Sequence, residues 1–160
     1  MMLLDSSFSP ESRVWIYQSN RPFTAAEEVK LQAELQEFTR QWVSHNQRLK
    51  AAGKILFHRF ILLMVDETQV GAGGCSIDRS VAFLKQVQAT YQVDLFDRMR
   101  FAFLDGDSVV SLSREEFAAY YQNGKISGDT HVLDTLVSTR QDFEQGFIKP
   151  LRLSWHQRMV

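Results

Sequence analysis

The sequence predicts an α+β fold: one globular domain over residues 1–160, with a mixed or antiparallel sheet and helices packed on it. Three observations carry this. Segments of strand-like character come in turn with segments whose apolar residues recur every three or four positions. Two of the helical segments open on capping boxes, "TAAE" at 24–27 and "SREE" at 113–116. Hydrophobic residues at 44%, aromatics at 12% and charged residues at 23% are ordinary for a globular chain, and at this length a core forms without staples.

In chain order, the polar stretch 1–11 is expected to be a poorly ordered leader. "RVWIYQ" at 13–18 is rich in β-formers and ends at the turn-like "SNRP", so it reads as the first strand. From the Thr24 cap, Leu31, Leu35, Phe38 and Trp42 follow at helical spacing, and the stripe runs on through His45 to Leu49. This predicts one long amphipathic helix with Trp42 and His45 on its core side and Glu28, Lys30, Glu34 and Glu37 on its wet side.

Gly53 interrupts the pattern. "KILFHRFILLMVDE" at 54–67 is too apolar on both parities for an edge and predicts a central strand buried on both faces, kinked at "HR". If that run is two strands, the order becomes that of a ferredoxin-like βαββαβ core. After the glycine loop "VGAGG", Val81, Leu84, Val87 and Tyr91 mark a second helix, capped near Ser76 or Asp78. "RMRFAFL", "DGD" and "SVVSL" spell a hairpin. A short helix from Ser113 ends at Asn123-Gly124. A strand around "HVLDTLV" comes next, then a polar turn or helix over 139–145, and Pro150 is expected to start the last helix.

Charge excludes some functions. With 18 basic and 19 acidic residues the net charge is −1, so no field draws in nucleic acid or an anionic membrane surface. The single cysteine excludes an internal disulfide. The first ten residues lack the basic region of a signal peptide, and the longest apolar run, 60–65, is far short of the ~20 residues that span a bilayer. A cytoplasmic protein is expected, with room left for a homodimer. No HxxxH, HExxH or CxxC spacing occurs, so neither a metal nor another cofactor is predicted.

The glycine loop sits between a strand and a helix, where phosphate cradles lie. Its residues do not complete one: no Lys follows the glycines as in a Walker loop, and counted from Gly71 the third glycine of a dinucleotide fingerprint is Ser76. The plain reading is a tight corner whose glycines supply positive φ or close approach. Cys75 falls in the first turn of the helix, with Arg79 one turn on, an environment that stabilises a thiolate. Asp78 opposes this, and a packed structural thiol is the plain alternative. A nucleophilic Cys75 would need a histidine brought near by the fold, and any of His45, His58, His131 or His156 could serve. "WVSH" and "SWH" each pair an indole with an imidazole, which brings in Trp42 and Trp155. Arg21, on the loop after the first strand, either grips an anion or pairs with Asp66 or Glu67. The candidate set is therefore Arg21, Trp42, His45, Cys75, Ser76, Asp78, Arg79 and Trp155, with Cys75 and His45 as the catalytic candidates.

"RVWIYQSNRP", "MVDE", "GCSIDRSV" and the terminal "SWHQR" together resemble a family of uncharacterised bacterial proteins of about this length, some of which carry the label ABC transporter ATPase. The resemblance covers most of the chain and implies no role for any residue. The label itself finds no residues here: Walker A is absent, and Asp66-Glu67 after "ILLMV" precedes the glycine loop instead of following it. The function expected is a non-enzymatic module that binds a small ligand or a protein partner. The alternative is an enzyme or an anion-binding pocket built on residues 71–79, and nucleotide hydrolysis is not expected.

Overall fold

Apolar surface on both faces of the central strand has to be covered on both sides, and the computed structural model, which describes residues 4–160, shows how. The first sheet is formed by β1 (Arg13–Gln18), β4 (Lys50–Leu56) and β5 (Phe60–Asp66) in the order β1-β5-β4, all neighbours antiparallel. β5 is the middle strand and is buried at every position. Its Ile61 and Leu63 pack under α1 (Ala25–Gln41) and α2 (Gly74–Tyr91), against Leu31, Leu35, Leu84 and Val87. Phe60, Leu62 and Met64 face the other way, onto the second sheet.

That second sheet contains β6 (Arg100–Asp105), β7 (Ser108–Ser113), β8 (His131–Leu133) and β9 (Ile148–Pro150), in the order β7-β6-β8-β9. Its Ala102 and Leu133 meet the first sheet, while Phe101, Phe103, Leu112 and Val132 pack outward under α3 (Arg114–Gln122) and the C-terminal 3-10 turns Leu151–Leu153 and Trp155–Met159. A seven-residue α4 (Arg140–Gly146) adds Phe143 to the layer between the sheets, with Phe147 just beyond its end. The chain is thus a single α+β domain of four layers, helices, sheet, sheet, helices, with strand alternation assigning each side chain to a layer.

The 54–67 run is not one kinked strand but the end of β4 and the whole of β5, joined by a turn at 57–59. Residues 13–91 follow strand, helix, strand, strand, helix with the order β1-β5-β4, which matches the first five elements of a ferredoxin-like unit. The sixth, a full strand beside β1, is missing. In its place Thr139 makes a single antiparallel bridge to Arg13, with Val14 N–H donating to Ser138 O (3.0 Å) and Arg140 N–H to Ser12 O (2.8 Å).

Several local expectations change. Residues 4–11 are docked: Leu4 and Phe8 join the inter-sheet core and Ser9 N–H donates to Asp66 Oδ2 at 2.9 Å. Residues 1–3 of the expected leader lie outside the described residues. Gly53 does not precede the strand but lies inside β4, where Leu35 of α1 presses on it: a Cβ there would meet Leu35 Cβ at 3.3 Å. The long first helix stops at Gln41, and β2 (Val43–Ser44) and β3 (Gln47–Arg48) form a tight hairpin where the helical stripe was expected to continue. Pro150 ends β9, and short 3-10 turns replace the last helix.

Candidate functional site

The hairpin that ends α1 and the helix that follows the glycine loop meet at one cleft of about 310 Å³. Its first wall is the β2–β3 turn. His45 and Asn46 sit at its centre with φ of 50° and 64°, the left-handed pair that a type I′ turn needs. Its second wall is the first turn of α2. The N-cap is Gly73, upstream of the Ser76 or Asp78 expected, and with no side chain it leaves the N–H groups of Gly74, Cys75 and Ser76 without a capping acceptor. α1, α3 and α4 are all capped by a hydroxyl, from Thr24, Ser113 and Thr139.

Trp42 joins the two walls from below. It is 2% exposed, and its indole Nε1 donates to the Ser76 carbonyl at 2.8 Å, while its ring packs on Phe38 and Trp15. The loop leading in is also fastened. Ala72 N–H donates to Glu67 Oε2 (2.8 Å) and Thr68 N–H to Asp66 Oδ1 (3.0 Å). Burial would raise the Asp66 carboxyl, but the Ser9 and Thr68 amides and the nearby Lys50 outweigh it and hold Asp66 below the usual carboxylate range. Asp66 and Glu67 thus hold the corner instead of forming an acid/base pair. None of Gly71, Gly73 or Gly74 takes a positive φ, so the glycine run supplies openness at the helix start, not a left-handed turn.

Of the eight sequence candidates, His45, Cys75, Ser76 and Arg79 line this cleft, with Trp42 beneath it. Cys75 is exposed, which overturns the packed-thiol reading. The Ser76 hydroxyl turns inward and donates to Gly73 O at 2.8 Å, so Ser76 contributes its backbone. Asp78 is exposed and does not line the cleft; no carboxylate does. With the positive end of α2 and Arg79 facing it, the cleft is electropositive.

Arg21 and Trp155 lie elsewhere. Arg21 pairs with neither Asp66 nor Glu67. Its guanidinium bonds Glu27 at 2.8 and 3.0 Å and the Tyr91 carbonyl, tying the start of α1 to the end of α2, and this pairing pushes the Glu27 carboxyl down to about 2. Trp155 stacks on His156 at 3.8 Å and donates from Nε1 to Asp134 Oδ1 at 2.8 Å, on the far side of the second sheet. The two indole–imidazole pairs therefore do not share a pocket.

Sequence reasoning missed Ser44. It is 5% exposed, yet its hydroxyl makes no hydrogen bond among the described residues and lines the cleft, 3.7 Å from where a Cβ on Gly73 would sit; His45 Nε2 lies 3.8 Å from the same point. The signal that could have found it is Asn46, a residue at home in left-handed turns and out of place in a helix interior. Among the described residues no cluster suited to a metal ion occurs, and no described helix is long and apolar enough to cross a membrane. Comparison with models of known families, with curated proteins and with solved structures found no match.

Proposed function

We propose that the protein is a ligand-binding module whose cleft between the β2–β3 turn and α2 takes a small oxyanion, a carboxylate or a phosphate. The Ser44 hydroxyl carries this reading: on a residue only 5% exposed it opens into the cleft without a protein hydrogen bond among the described residues, 3.7 Å from where a Cβ would sit on Gly73, the uncapped N-cap of α2. An oxyanion there accepts from the amides of Cys75 and Ser76 and from Ser44, with Arg79 supplying charge and His45 closing the side. Neither a lysine nor a magnesium-binding group accompanies these donors, so the site fits binding better than hydrolysis of a nucleotide.

Inorganic phosphate is the probe. A ligand that binds only the native state raises the melting temperature by mass action, and a seated anion shields the neighbouring Cys75 from alkylation. Gly73→Asp places a carboxylate at the N-cap itself. It is expected to stabilise α2 by about 0.3–1 kcal/mol and to abolish both the phosphate-induced stabilisation and the protection of Cys75. Arg79→Ala is expected to reduce both phosphate effects without lowering the stability of the free protein. An unchanged phosphate effect in Gly73→Asp, or none in the parent protein, would sink the proposal. The exposure of Cys75 beside His45 favours one rival, a thiol enzyme. Alkylation that is faster in the folded protein than in urea would support that rival, and an equal or slower rate disposes of it.

A further inference from the structure

The missing sixth strand leaves a second feature, separate from the cleft. The Thr139 bridge shows which way the β1 backbone points: Ser12 O and Val14 N–H face outward, so Arg13, Trp15 and Tyr17 bond to β5, and Ile16 has its N–H and C=O outward as well. Past the bridge residues 135–137 line the same cavity as β1 but make no backbone hydrogen bond to it, and Ile16 makes none on its outer side among the described residues. Two cavities of about 280 and 200 Å³ line this edge. They share Ile16, Tyr17, Arg98, Thr135 and Leu136, so they form one groove along β1.

Its chemistry is one-sided. Met99 and Leu136, two of the four large apolar side chains most exposed among the described residues, stand on its rim at 49% and 57%. Arg98 makes no hydrogen bond or ion pair among the described residues. Arg100 is held only by the hydroxyl and carbonyl of Ser111. Behind it the guanidinium of Arg59, a residue 6% exposed, has a single hydrogen bond among the described residues, from Nε to Ser19 O (3.3 Å), and is pushed below its ordinary value by burial and by the charge of Arg100. Among the described residues none of the three arginines has an acidic partner in ion-pair contact, and the one acid that lines the groove, Asp97, already accepts from Met99 N–H.

We infer that this groove binds an extended acidic peptide segment by strand addition. The partner backbone pairs with Ile16 where a sixth strand would lie, its apolar side chains cover Met99 and Leu136, and its carboxylates meet Arg98 and Arg100.

The test uses the full chain with acetyl-Val-Glu-Val-Glu-Val-amide and, as control, the peptide with Lys in place of Glu. Amide hydrogen exchange and NMR shifts are read at β1. In the free protein the Ile16 N–H should exchange at least about tenfold faster than those of Trp15 and Tyr17, and the acidic peptide should slow it while shifting Met99 and Leu136. Arg98→Glu, at an exposed and unpartnered position, should weaken peptide binding at least about tenfold. Equal binding of the Lys peptide, no shift at about millimolar acidic peptide, or an Ile16 amide already protected by self-association in sedimentation would each overturn the inference.

Discussion

His45 holds a backbone conformation that glycine adopts freely and that other L residues adopt at a cost of roughly 1 kcal/mol or more. With φ at 50°, it occupies the first of two left-handed turn positions, and its ring reaches the cleft. His45→Gly should therefore raise stability by about 1 kcal/mol while weakening phosphate binding, read by urea denaturation and by calorimetry on one preparation. A parallel loss of both would mean that the imidazole serves the fold and not the cleft. At this scale the site was partly legible. Cys75, Ser76 and Arg79 follow from recognising a helix start after a glycine run, since a helix N-terminus is a local matter. Ser44 and the role of His45 were hidden, because both depend on where α1 stops, and the apolar spacing of Trp42, His45 and Leu49 mimics two more helical turns. Arg21 was misread because its partner, Glu27, was already assigned to a capping box; it serves both.

α1 and the sheet beneath it meet at their closest where β4 offers no side chain. A Cβ on Gly53 would lie 3.3 Å from both Cβ and Cδ2 of Leu35 and 3.4 Å from Leu63 Cδ2, tighter than packed side chains accept without moving. Gly53→Val should push α1 outward and cost about 1–3 kcal/mol, seen as a lower urea midpoint, in spite of the better strand propensity of valine. A rise in the midpoint would show that α1 is free to shift. The glycine read as the break after the helical stripe and not as part of a strand, because what calls for it lies eighteen residues upstream, in a contact that only the folded chain makes. The elements set by local rules were legible to within a residue or two: β1, the capping boxes of α1 and α3, and the β6–β7 hairpin. So was the burial of β5 on both faces, since a run without polar alternation has no wet side.

Four layers give the molecule two kinds of interior, and the outer one beneath the C-terminal turns holds a titratable ring. His156 is 1% exposed, lies against Trp155, Phe101 and Phe117, and shares a hydrogen bond of 2.7 Å with the Ser154 hydroxyl. Burial pushes it down to about 4, against the pull of Asp134 and with the help of Lys149. The unfolded chain takes up a proton near pH 6.5 and the native one only near 4, so stability should fall as pH drops through that window, by about 3 kcal/mol in all. Urea midpoints measured between pH 6.5 and 5 should show the loss, and His156→Phe should flatten it; a parent protein with a level profile would refute it. The pairing of the two sheets was not legible, because which faces meet is decided by contacts between halves of the chain that no local pattern encodes. That division has a consequence for synthesis. Residues 13–91 complete the first sheet and its helices, yet over Phe60, Leu62 and Met64 the chain made so far can lay only Leu4 and Phe8, and the rest of the cover, from Ala102 to Phe147, comes later. At ordinary translation rates the nascent chain therefore carries a finished sheet with one largely bare oily face for several seconds. During that interval its survival depends on what the ribosome's surroundings lend it.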